Sequence, residues 1–121
     1  MTLEAVNLFD ALASFDEVYS PRIVTRMNDY DVKIAHAQGE HVWHVHDDTD
    51  EFFLVLGGQL TIQMRDGNVV LAPRELFVVP RGVEHCPRAD TETAVLLFEP
   101  STVINTGDAG GELTAEVEEL A

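Results

Sequence analysis

Between Ile23 and Glu99 the chain is a succession of short β-rich runs separated by turn residues: IVTRM, DVKIAHA, HVWHVH, EFFLVL, QLTIQM, NVVLA, LFVV and AVLLFE. Strands this short, joined this tightly, leave no room for crossover helices, so the pattern predicts an all-β sandwich or barrel. Asp66-Gly67, between QLTIQMR and NVVLA, is a two-residue hairpin signal. Phe52 to Leu56 is apolar at every position, which predicts a strand covered on both faces. Ahead of this region, residues 1–20 place Leu3, Val6, Leu8, Phe9, Leu12 and Phe15 at near-helical spacing. Thr2 is the expected N-cap and Pro21 the stop, giving a short amphipathic helix lying on the main domain. The expected organisation is an N-terminal helical segment (1–22), a β-barrel (23–100), and a C-terminal loop and acidic tail (101–121). INTGDAGGE at 104–112 has loop composition and lacks the Gly-Lys-Ser/Thr ending of a phosphate loop. For the last ten residues a short acidic helix and a disordered tail are both open.

Composition narrows the partners. At 121 residues the chain is one domain with a respectable core, and an apolar content of 45% argues against wholesale disorder. Seven basic against 22 acidic residues give a net charge of −15. Lys33 is the single lysine, so the clustered cations that phosphate or anionic lipid requires are missing, and neither nucleic acid nor a membrane surface is an expected partner. No apolar run approaches the roughly 20 residues that span a bilayer. Cys86 is the one cysteine, which precludes an internal disulfide, and the first basic residue is Arg22, so a signal-peptide n-region is not expected. A cytoplasmic, acidic protein is expected, its surplus charge in keeping with a salty interior.

Three of the five histidines fall in His41-Val42-Trp43-His44-Val45-His46. On a strand, residues two apart share a face, which sets His44 beside His46 and sends His41 to the other side. If Asp47-Asp48-Thr49-Asp50 closes a simple hairpin, His46 pairs with Glu51 and His44 with Phe53. Directly opposed Cβ atoms lie about 4.5–5.5 Å apart, so two imidazoles and a carboxylate would converge. Such a set suits a first-row metal with coordination positions to spare. Phe53 and Val55 continue that face and are expected to wall a pocket. His36 and His41 are read as structural or surface residues. Trp43 is placed on the outer face, in a second layer or a dimer contact. Asp47, Asp48 and Asp50 lack the spacing of a calcium loop and are read as an acidic rim. Arg65, Arg81 and Arg88 are the local candidates for clamping an anion. His85 follows the turn Pro80-Arg81-Gly82, but spacing alone does not bring it to the other histidines.

These residues resemble the two motifs of the cupin superfamily, in its small single-domain form. The first motif is a Gly, five residues, HxH, three or four residues, Glu, six residues and Gly. Here Gly39 stands four residues before His44-Val45-His46, and Glu51 and Gly58 follow at family spacing. The second motif is Gly, five residues, PxG, two residues, His, three residues and Asn. Pro80-Arg81-Gly82 and His85 match it, with Arg74 and Ala89 replacing the outer Gly and Asn. The resemblance covers roughly residues 30–100. It implies a double-stranded β-helix (jelly-roll) barrel holding a divalent transition metal (Fe, Mn, Ni, Zn or Co) through His44, His46, Glu51 and His85. It also implies a metal-dependent enzyme of isomerase, lyase or dioxygenase type, acting on a small hydroxy-carbonyl or carboxylate metabolite. The alternative is a non-catalytic binding or sensing domain with a structural metal. Cys86 is read as an inert core residue pointing away from His85. Trp43 and the two-sided apolar strand suggest a homodimer.

Overall fold

The computed structural model describes residues 3–102 and 118–120. Strands form where apolar residues alternate, and turn chemistry sets their ends. They are β1 (Arg22–Met27), β2 (Tyr30–Glu40), β3 (Glu51–Gly57), β4 (Leu60–Met64), β5 (Gly67–Leu71), β6 (Leu76–Val79) and β7 (His85–Pro100), with β8 (Glu118–Glu119) beside β1. All pairings among the first seven are antiparallel. The sixteen-residue β7 is the spine. One of its edges pairs with β2 from Tyr30↔Pro100 to Glu40↔Arg88, while the other takes β4 at His85 to Arg88 and β3 further on. The sheet therefore folds over on β7 and encloses an apolar interior of Phe53, Val55, Leu60, Ile62, Leu71, Val79, Val95 and Leu97. Completely buried Val55 and Ile62 each contribute roughly 1.5–3 kcal/mol by leaving water. The outer side of β3 is half-buried at Phe52, Leu54 and Leu56, in keeping with its unbroken apolar run.

Several expectations are corrected. The N-terminal helix α1 is only Leu8–Ala13, and its N-cap is Asn7, whose side chain accepts from Asp10 N at 3.0 Å. Thr2 lies outside the described residues, and the helix ends at Ala13, well before Pro21. Leu12 seats this helix on Val24 and Ile34. The β4–β5 hairpin closes on Met64↔Gly67, so Arg65-Asp66 forms its tip and Gly67 ends the turn. The segment 104–112 lies outside the described residues, as does most of the final ten. Of those, Glu118–Glu119 is strand parallel to β1, with Leu120 N donating to Ile23 O. Among the described residues no helix is long and apolar enough to cross a membrane.

Residues 41–46 are the main departure. They form no continuous strand: His41 N donates to Pro87 O, and His44 and His85 exchange both backbone hydrogen bonds at 2.9 Å. Three steps from His41 to His44 run against two from Pro87 to His85. The ladder cannot stay in phase, and strict alternation is lost.

Candidate metal centre

The expected hairpin pairing does not exist. Glu51 opens β3 opposite Val79 of β6, and Phe53 pairs with Phe77 and Leu97. The convergence of side chains arises by another route. The His44–His85 bridge sets those two rings 4.4 Å apart, and Gly82 N, in the Pro80-Arg81-Gly82 turn, donates to His46 O at 2.9 Å. Asp50 Oδ1 accepts from Arg81 N at 2.8 Å, tying the 47–50 loop to the same turn. His44, His46, Glu51 and His85 are all buried, and one donor atom from each lies within 4.8 Å of the rest.

Local bonds fix which nitrogens face inward. His44 Nδ1–H donates to Val42 O at 2.8 Å and His85 Nδ1–H to Val83 O at 2.9 Å, each reaching two residues back. A carbonyl only accepts, so Nδ1 carries a proton in each of these rings and Nε2 is the nitrogen left to face the cluster. Both Nε2 atoms point into the cluster. That of His85 lies 2.9 Å from Glu51 Oε1, while that of His44 is buried without a hydrogen-bond partner. His46 Nε2 lies 2.7 Å from Glu51 Oε2. Burial, aided by the neighbouring His85 and His46, lowers the His44 pKa to about 4, so this ring is neutral near pH 7. Burial pushes the Glu51 carboxyl up, but the hydrogen bonds and charges of His46 and His85 outweigh it and hold it down at about 2. His44 and His85, with Nδ1 committed to carbonyls, together with His46 and an ionised Glu51, make a group of the kind that could hold a divalent transition metal.

Beside the cluster lies an inner cavity of about 50 Å³, bordered by His44, Glu51, Phe53, Tyr19, His41 and Glu99. Phe53 lines this cavity, whereas Val55 lies in the core and does not. His41 is not across the sheet from the site: the slipped ladder turns it inward, 5.6 Å from the His44 ring and stacked on Tyr19 at 4.5 Å. His36 is structural, its Nε2 meeting the Leu12 and Phe15 carbonyls behind α1. Outside the sheet, an open groove of about 570 Å³ runs past His46, and the exposed Asp47, Asp48 and Asp50 rim it with Arg81. Arg65 instead covers Trp43, 3.7 Å from its ring, and pairs with Glu84. Trp43 is therefore packed in a second layer by its own chain. Arg88 lines neither cavity. Cys86 is fully buried, and burial, with Glu40 nearby, pushes its thiol up to about 11.

An interior ion pair escaped the sequence reading. Lys33 Nζ meets Glu99 Oε1 at 3.1 Å, with side chains 1% and 3% exposed. Burial first, and then the charge of Glu51, push the Glu99 carboxyl up to about 7 against the pull of Lys33. Alternation was the available signal, since Lys33 shares a face with Ala35 and Ala37, and Glu99 with Val95 and Leu97.

A family model for the cupin domain matches residues 30–104. The protein YdbB of Bacillus subtilis is 33% identical over 94 residues, 77% of this chain and 83% of its own. A cupin-2 domain-containing protein from Shewanella frigidimarina has a solved structure that is 44% identical, with a TM-score of 0.77 over 78% of this chain and 93% of its own. A hydroquinone 1,2-dioxygenase from Sphingomonas sp. TTNP3, solved with 4-hydroxybenzoate bound, shares the fold at 18% identity, with a TM-score of 0.67 over 93% of this chain and 76% of its own.

Proposed function

The chain belongs to the cupin family, and on that premise we propose that it is a metal-dependent enzyme for a small hydroxy-carbonyl or carboxylate metabolite. His44, His46, Glu51 and His85 hold one divalent transition metal. The observation that carries this reading is the convergence of imidazole Nε2 atoms and an ionised carboxylate in a buried pocket, with the unpartnered His44 Nε2 among them. When bound, such an ion acts as a Lewis acid that polarises a carbonyl or lowers the pKa of a water. The chain's own residues supply the rest. Val42 and Val83 carbonyls orient the rings, the 80–82 turn fixes His46, and Phe53 with the apolar interior keeps bulk water away. The acidic rim attracts cations and slows anions.

Element analysis of the untagged protein is expected to find one divalent ion per chain. A hundredfold excess of metal over its Kd adds about 2.7 kcal/mol, and His44→Ala is expected to lose most of that gain in melting experiments. No stoichiometric metal in the wild type, with an unchanged metal response in His44→Ala, would sink the reading.

The small inner cavity favours one rival, a non-catalytic binding or sensing domain whose metal holds the barrel together. A volume of about 50 Å³ has room for only one or two waters. Water-proton relaxation of the manganese-loaded protein separates the two. Exchangeable water on the ion supports an enzyme, and a closed sphere supports the rival.

A further inference from the structure

A row of charged side chains crosses three adjacent strands inside the barrel. On one edge of β7, Asp31 stands opposite Glu99 and Lys33 opposite Leu97. On the other edge, Phe52 stands opposite Phe98 and Phe53 opposite Leu97, which brings Glu51 level with Glu99. Neighbouring Cβ atoms in such a row lie about 4.5–5.5 Å apart. Glu99 is thus one strand from the proposed metal ligand Glu51, and Glu99, Glu51 and His44 border the same inner cavity. Lys33 occupies only one of its oxygens. Oε2 of Glu99 is buried with no hydrogen-bond partner. Asp31 is bonded to Arg26 and Ser101 instead. A buried carboxylate oxygen left unpaired is costly, and a hydrogen-bond donor on a bound molecule would relieve that cost.

We infer that Glu99, held by Lys33, is the hydrogen-bond partner for a hydroxyl group at the inner end of the ligand site, and that it selects hydroxyl-bearing ligands over those that place a carboxylate there. The inference rests on the metal-centre reading for the position of the ligand's other end. A hydroxyl both donates and accepts, so it pairs with Oε2 whichever proton state the carboxyl adopts. A ligand carboxylate only accepts, and with Glu99 ionised it would meet the like charges of Glu99 and Glu51 in a dry pocket. The cavity volume adds a size limit, since only a fragment of a few heavy atoms reaches this depth. Of the two substrate classes proposed above, Glu99 therefore favours the hydroxy-carbonyl.

Hydroxyacetone and pyruvate test this, because pyruvate puts a carboxylate where hydroxyacetone has its hydroxymethyl group. Their Kd values are measured by NMR titration of the wild type and Glu99→Gln, each with and without one equivalent of zinc. Glutamine keeps the shape but offers an amide donor to a carboxylate. The preference for hydroxyacetone over pyruvate is expected to fall by roughly tenfold or more in Glu99→Gln, the scale of one charge-assisted hydrogen bond. An unchanged ratio in both zinc arms overturns the proposal, as does wild type that fails to bind hydroxyacetone at about 100 mM. A shifted ratio in a protein that takes up no zinc upholds the role of Glu99 and removes the metal centre; zinc uptake with an unshifted ratio does the reverse. If Glu99→Gln does not fold, the double variant Lys33→Met/Glu99→Gln, which removes the pair together, carries the same expected shift.

Discussion

Lys33→Met strips the cation from a carboxylate that is 3% exposed, and its effect on stability is expected to depend strongly on pH. Removing one partner of a buried pair generally costs about 3–5 kcal/mol, because the other charge stays behind. Glu99 has an escape, which is to take up a proton. Its folded-state pKa already stands at about 7, above the ordinary 4.5, because burial disfavours the anion. A group raised in this way makes the folded state bind more protons than the unfolded one, so its contribution to stability falls as pH rises from about 4.5 through 7. Without Lys33 the folded pKa rises further, and the variant diverges from wild type above pH 7. The divergence follows linkage at no more than about 1.4 kcal/mol per pH unit for one proton. Two units, from pH 7 to 9, therefore allow about 2.7 kcal/mol. At pH 5 both proteins carry neutral Glu99, and the variant also sheds a buried ammonium, so the difference should stay within about 1 kcal/mol of either sign. Urea unfolding of both proteins at pH 5, 7 and 9 measures this directly. A loss that is equal at pH 5 and pH 9, or smaller than about 1 kcal/mol at pH 9, would refute the buried-pair argument.

Other expectations concern single positions. Gly58 has φ +83°, and an added Cβ would fall 2.4 Å from Thr93 Oγ1 and 2.6 Å from the Glu92 carbonyl oxygen. Gly58→Ala should therefore cost at least about 2 kcal/mol in urea unfolding, and a neutral result would mean this turn relaxes freely. Arg74 has φ +72° where the family's motif has glycine, so Arg74→Gly should gain up to about 1 kcal/mol, read as a higher melting temperature. Cys86, buried and with its thiol pushed up to about 11, should resist a thiol reagent at pH 8 until the protein is unfolded. Rapid labelling of the native protein would contradict that assignment.

The candidate site was legible in part. The HxH, Glu and PxGxxH spacings pick out the four residues that the structure brings together. The assembly route was not legible. A hairpin between His46 and Glu51 was the simplest local pairing, but Glu51 pairs with Val79 and His44 with His85, and both contacts join distant parts of the chain. The slip between His41 and His44 left no trace in residue type, so alternation assigned His41 to the wrong side. Lys33 and Glu99 went unread for a different reason. A lone lysine was weighed as a measure of surface charge, and only the pairing of β2 with β7 shows that it meets a carboxylate 66 positions away inside the barrel.

The paired backbone bonds of His44 and His85 also bear on how the protein is made. Glu51 and His85 are separated by 34 positions, and Lys33 and Glu99 by 66, so no local stretch of chain holds the donor set. Contacts of this sequence separation must first offset the entropy of closing long loops, and they form late. A nascent or partly folded chain would present at most His44, His46 and Glu51, and metal retention would become a readout of completed strand closure. During refolding, the appearance of tightly held metal should then coincide with the last and slowest structural phase.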